Sequence, residues 1–224
     1  MTKIFKTSAV AMLAAGLAVS AAKADQTFGL DFNFSGPPPG GATPWLSATF
    51  SDIAGGVQLT LSGANLAASE FVGGWYFNLS AALDPTSLVF TRTDAGPVVV
   101  DGIGTGANAY KADGDGFFDI LIDFQTSSGI GRFSAGDSVV YTITGIPGLN
   151  AAMFNYQSTL GGGNGVWYTA AHIQALTNGQ SVWIGDGDGG GGSGGGPVPE
   201  PTTMVILASF AGLAVFLKRR YSAV

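Results

Sequence analysis

Residues 117–124 read Phe-Phe-Asp-Ile-Leu-Ile-Asp-Phe. Phe118, Ile120, Ile122 and Phe124 fall on every second position, and Asp119 and Asp123 occupy two of the positions between. A period of two puts the four apolar side chains on one face of a strand and the aspartates on the other. The same alternation runs outward in both directions. It holds for Phe28, Leu30, Phe32 and Phe34, for Leu46, Ala48 and Phe50, for Val57, Leu59 and Leu61, and for Val139, Tyr141 and Ile143. Further strand segments are read at 75–79, 87–91, 97–100, 152–156, 166–173 and 182–184.

Turn chemistry separates these segments. Gly36-Pro37-Pro38-Pro39-Gly40-Gly41, Gly55-Gly56, Asp84-Pro85, Ile146-Pro147-Gly148 and Asn178-Gly179 each supply the dihedral angles that a reversal needs. The one helical hint, at 66–70, amounts to a single turn. About ten short strands with one apolar face each need a second layer to cover that face. The expected fold is all-β, a jelly-roll-like antiparallel β-sandwich over residues 25–184.

Composition narrows the chemistry. The 224 residues contain no cysteine and one histidine, His172, so thiolate catalysis, Cys-zinc sites and multi-histidine metal sites are excluded. Between residues 25 and 198 stand three bases, Arg92, Lys111 and Arg132, against fourteen acids, a net charge of −11. Such a surface repels nucleic acid and anionic polymers, and favours divalent cations or neutral glycans. Thirty-six glycines with few charges suit a turn-dense β protein.

The two ends of the chain carry targeting signals. Lys3 and Lys6 precede an apolar stretch at 9–19, and Ala22-Lys23-Ala24 supplies an A-x-A cleavage site before Asp25. Residues 1–24 therefore read as a secretory signal peptide cut after Ala24. At the other end, Pro199-Glu200-Pro201 is followed by sixteen uncharged residues, 202–217, and then by Lys218, Arg219 and Arg220. Sixteen residues at a rise of about 1.5 Å make roughly 24 Å, short of a ~30 Å hydrocarbon core unless the flanking cations snorkel. The cationic cluster keeps the tail in the cytoplasm, with the single transmembrane helix holding the acidic domain outside. Residues 185–196, Gly-Asp-Gly-Asp-Gly-Gly-Gly-Gly-Ser-Gly-Gly-Gly, read as a flexible spacer spanning roughly 20 Å.

The order and spacing of these elements over 197–224 resemble the PEP-CTERM sorting signal of exported Gram-negative bacterial proteins. The resemblance implies transient retention by the C-terminal helix at the inner membrane. It also implies a membrane-embedded processing partner, the exosortase, and a destination at the cell surface or in extracellular polymeric matrix, as in biofilms. It identifies an address, which is separate from an activity.

Within the domain, residues 113–119 read Asp-Gly-Asp-Gly-Phe-Phe-Asp. With Gly116 as the sharp-turn glycine, Asp113, Asp115 and Asp119 take ligand positions of an EF-hand loop. Lys111 and Ile122 then stand where its first ligand and closing acid belong. Both departures argue against an EF-hand. A looser Ca²⁺ site made from the three aspartates stands beside the plain reading, a glycine turn with solvated aspartates. Asp186-Gly187-Asp188 reads as a solvated pair in the spacer. His172 lies in an apolar strand with no G-x-S-x-G elbow anywhere, so it reads as packed rather than catalytic. Gly102-Ile103-Gly104-Thr105-Gly106 has neither a following helix nor a Gly-Lys pair, which argues against phosphate binding. Asn33-Phe34-Ser35 and Asn78-Leu79-Ser80 match the N-glycosylation acceptor pattern by chance in a bacterial setting. Trp45, Trp75, Tyr76, Trp167, Tyr168 and Trp183 form the pool from which a sugar-stacking platform would be drawn.

These readings converge on an exported, non-enzymatic surface or matrix protein that needs no cofactor, contacts extracellular polysaccharide and binds no nucleic acid. A dedicated carbohydrate-binding module on the same fold is the alternative. A glycoside hydrolase using paired carboxylates comes third.

Overall fold

The computed structural model describes residues 25–127, 129–162 and 165–187. The expected signal peptide, most of the glycine spacer and the sorting tail lie outside these residues. No helix among them is long and apolar enough to cross a membrane.

The described chain is all-β and antiparallel. Its strands are β1 (Gln26–Ser35), β2 (Leu46–Ile53), β3 (Gly56–Ser62), β4 (Phe71–Phe77), β5 (Val89–Arg92), β6 (Val100–Ala112), β7 (Asp115–Phe124), β8 (Phe133–Ser134), β9 (Ser138–Thr144), β10 (Thr169–Gln174) and β11 (Val182–Asp186). They form one hydrogen-bonded sheet in the order β5-β9-β3-β2-β1-β11-β10-β4-β7-β6, with β8 added beside β4. The second layer that the alternation demands is thus supplied by the same ladder, which curls until its two halves face each other. Phe50 of β2 meets Phe77 of β4 edge-on at 5.4 Å and stacks on Phe154 at 4.4 Å. Leu30, Leu59, Trp75, Ile122, Ile143 and Ile184 are fully buried in this shared core.

The curl is nearly closed. β5 and β6 are the two free ends of the ladder, and a clip ties their lead-ins together. Arg92 forks onto Asp94 at 3.0 and 2.7 Å, and its other amine donates to Val98 O. Asp94 in turn accepts the backbone N–H groups of Gly96 and Val140.

Several boundaries differ from the sequence expectation, each for a physical reason. Residues 152–156 form no strand, because Ala151 and Phe154 are buried three apart on a 3-10 turn, Ala151–Phe154. The glycine-rich 102–106 stretch is part of the longest strand, β6, which ladders to β7 with little apolar side chain to announce it. β11 continues through Gly185 into Asp186, past the expected start of the spacer. Asp186 is corrected accordingly: it is 5% exposed, and its carboxylate accepts the N–H groups of Tyr168 and Thr169 at 3.0 and 3.1 Å.

Register also sets the orientation. β11 runs antiparallel to β1 with Asp186 opposite Leu30, so the domain is entered near Gln26 and left near Gly187 at one end of the sheet. The β10–β11 turn lies at the opposite end, away from the path to the spacer.

Candidate functional site

The outer face of the β11-β10-β4-β7-β6 half is organised by cross-strand rows. Trp183 stands opposite His172, His172 opposite Gly74, Gly74 opposite Asp123, and Asp123 opposite Gly102. Residues directly opposite in antiparallel pairs share a face, so all five lie on one line across five strands. A second row runs Phe32, Gly185, Ala170, Tyr76, Leu121, Gly104.

The second row is largely roofed. Trp167 lies against Gly185, where an added Cβ would come within 2.8 Å of its ring. Phe34 stacks on Trp167 at 4.8 Å, and Phe118, Ala112 and Ala170 complete a small cluster separate from the main core. The first row stays open. Trp183 and His172 stack at 4.5 Å with 17° between their planes, and Tyr76 approaches Trp183 at 5.6 Å. Gly74 makes room for this arrangement: its missing Cβ leaves the Tyr76 ring space above the sheet, with Tyr76 Cε2 3.3 Å from where that Cβ would be. The three rings are each partly exposed, and Asp101, Gly102 and Asp123 beyond them are exposed.

An open groove of about 540 Å³ adjoins this row at the end remote from Gly187. It is lined by His172, Gln174, Ala175, Gly179, Gln180 and Ser181. His172 Nδ1 lies 3.4 Å from Gln174 Nε2. Burial lowers the pKa of His172, and the nearby Asp113 carboxylate opposes that shift. The ring is therefore neutral above the ordinary histidine range. Tyr76 is pushed up by burial and then by the Asp123 charge, so its hydroxyl stays protonated. Asp123 is itself raised, first by burial and then by Asp101.

The structure sorts the aromatic pool. Trp45, Trp75 and Trp167 are buried, whereas Tyr76 and Trp183 reach the open row. Tyr168 packs on Phe28 of the core at 5.9 Å.

The three candidate calcium ligands are placed as follows. Asp113 is exposed in the β6–β7 turn, Asp115 opens β7, and Asp119 lies further along that strand. Asp119 Oδ2 accepts the N–H of Leu79 at 3.0 Å and Oδ1 that of Asn108 at 2.8 Å, so both oxygens are engaged by backbone. Among the described residues no group of three ligand-type side chains suited to a metal is found. The carboxylates that sequence reasoning treated as a solvated surface have a second use. Asp31, Asp52, Glu70, Asp84, Asp94, Asp119, Asp137 and Asp186 all accept backbone N–H bonds. Asn78 is buried and donates to Trp167 O and Tyr168 O, another fastening rather than a glycan acceptor.

Asp123 was missed as a site residue because only strand register reveals that it lies in the aromatic row; Asp101 stands at the irregularity between Val100 and Gly102, next to the residue opposite Asp123. Comparison with known proteins brings no match, whether to a protein-family model, a curated sequence or a solved structure.

Proposed function

We propose that this is an exported, non-enzymatic binding protein of the cell surface or extracellular matrix, whose outer sheet face holds polysaccharide. The observation that carries the reading is the open row, in which the partly exposed rings of Trp183, His172 and Tyr76 cluster beside the groove lined by Gln174, Gln180 and Ser181. Sugar rings stack through their C–H faces on aromatic planes, while amide and hydroxyl side chains meet their hydroxyl groups. The row lies on an exposed sheet face, so a long chain can pass across it without an end entering. The groove lies at the pole away from the spacer, which suits a domain held at a membrane while it contacts polymer beyond.

The fold reading that accompanies this is a jelly-roll-like sandwich. Pairing nests around the β6–β7 hairpin, with β4 beside β7, β10 beside β4, and the first strand beside the last. The delivery route is secretion, retention by the C-terminal helix and handling by an exosortase-type enzyme. It rests on the Ala22/Ala24 cleavage site, the Pro199-Glu200-Pro201 motif and the Lys218-Arg219-Arg220 cluster. A reporter inserted within the glycine spacer is expected to be active outside the cytoplasm, and a cytoplasmic signal would sink the topology.

For the binding role, glycan titration of the purified chain should saturate, and Trp183→Ala should remove the binding while leaving the melting temperature within a few degrees. Binding unchanged by that substitution would dismiss the site. One observation favours hydrolysis, the Asp101–Asp123 pair with a raised carboxyl. Both residues are exposed on the outer sheet face, where water is not excluded and the electrostatic advantage of a closed cleft is lacking. No turnover across glycoside substrates is the expected result. The melting temperature is likewise expected to be the same in Ca²⁺ and in Na⁺ of matched ionic strength.

A further inference from the structure

We propose that the open row is adapted to a polysaccharide carrying free amino sugars, a cationic glycan. This rests on the polysaccharide-binding reading above and narrows its ligand from glycans in general to positively charged ones.

The domain carries charge that it does not balance by itself. Eight of its carboxylates are occupied by backbone N–H groups, as described above. Asp101 and Asp123, by contrast, accept no hydrogen bond among the described residues; Asp123 is opposite Gly102, the neighbour of Asp101, and its pKa is raised by burial and then by the Asp101 charge. The three basic residues between positions 25 and 198 are engaged elsewhere. Arg92 is forked onto Asp94. Lys111 donates to Gly161 O and lies over the Phe117 ring. Arg132 donates to Thr126 O and Ser127 O and covers the Phe71 ring at 3.9 Å. A cation that offsets the Asp101–Asp123 repulsion must therefore come from outside.

The row supplies that cation with a geometry. Asp123 is three strands from Trp183, about 14 Å at ~4.8 Å per strand. Tyr76 fills the space over Gly74, and beyond it the floor is low at Gly102, where nothing lies within 4 Å of an added Cβ. A sugar stacked on Trp183 and Tyr76 thus sends the next units of its chain across a smooth floor to the carboxylates. An ammonium substituent gains an ion pair there, a neutral acetamido or hydroxyl substituent gains none, and a uronate is repelled. The net charge of −11 over residues 25–198 acts in the same sense at longer range.

The test uses the full chain in non-ionic detergent micelles and calorimetry with glucosamine oligomers and N-acetylglucosamine oligomers of equal length. The glucosamine oligomers should bind about tenfold tighter or better, the scale of one well-placed charge pair. High salt should narrow the gap. The double variant Asp101→Asn/Asp123→Asn should erase the preference while neutral binding persists, and Trp183→Ala should weaken both. Equal affinity for the two oligomers, with Trp183 still required, overturns the cationic ligand and leaves the platform standing. Absence of binding to either oligomer overturns both. Binding of Ca²⁺ alone that the asparagine pair abolishes, with no preference for the amino over the acetamido sugar, also overturns the proposal in favour of a metal.

Discussion

On the inner face of β4, Trp75 is fully buried, stacks on Phe77 at 5.9 Å and donates from Nε1 to Thr169 Oγ1 at 2.9 Å. One residue later, on the outer face, Tyr76 leans over Gly74 between Trp183 and Asp123, half open to water. Both are large aromatics on one strand, separated only by the alternation of the pleat. The pleat alone places one ring in the core and leaves the other partly open to solvent. Trp75→Ala is the sharpest way to break this contrast. Deleting a fully buried indole should cost about 3–5 kcal/mol, read by denaturant unfolding. Tyr76→Ala should cost about 1 kcal/mol and abolish glycan binding. Equal losses of stability at the two positions would mean that the outer cluster is simply a second core.

The same contrast divides the carboxylates. Asp119 ties two backbone segments, the exit of β4 and the irregular part of β6, to the middle of β7. In a chain with no disulfide, such acceptors fasten irregular backbone to the sheet. Two charge-assisted bonds to backbone predict that Asp119→Ala loses about 2–3 kcal/mol. Ca²⁺ should neither add to nor offset that loss. A loss that appears only in Ca²⁺ would turn Asp119 back into a metal ligand.

How far these roles can be read without coordinates depends on what signals them. Strands whose inward positions carry large side chains are visible at once; the expected span at 138–144 is the observed β9, and β7 differs from 117–124 by two residues at one end. β6 is hidden because an edge strand with exposed glycines needs no apolar alternation; its hydrogen bonds come from backbone alone. The carboxylate fastenings are hidden for a related reason. Every residue but proline offers an N–H, so nothing in the composition marks which one an aspartate will accept. The aromatic row was half visible: Trp183 and Tyr76 belong to a recognisable pool, but the alignment of Trp183 with Asp123 exists only through three consecutive registers.

The clip at the near-closure of the sheet gives a smaller effect with a defined pH signature. Asp94 is held well below the ordinary carboxylate range by the Arg92 hydrogen bonds, reinforced by the N–H groups of Val140 and Gly96. A depressed folded pKa means that the stabilisation is complete above the unfolded value, near 3.9, and is lost as pH falls through the lower folded value. Because the pair meets solvent, its worth is about 1 kcal/mol at most. Asp94→Asn should lower stability by that amount at neutral pH. It should also flatten the acid limb of the stability profile, measured by thermal melts from neutral to strongly acidic pH.

Asp123 should behave in the opposite sense, and this is the finest test of the comparison. Its folded pKa is raised by burial and by Asp101, so its contribution is complete below the ordinary carboxylate value and is lost as pH rises through the raised one. Asp123→Asn removes a charge that the fold does not use. The change in neutral-pH stability should therefore lie within about 0.5 kcal/mol, the range of ordinary surface substitutions. The wild type should gain slightly on the variant as pH drops from neutral, whereas wild type loses ground to Asp94→Asn over the more acidic range. If both variants shifted the profile in one direction, Asp123 would be one more fastening of the fold, and the open row would lose the feature that makes it selective.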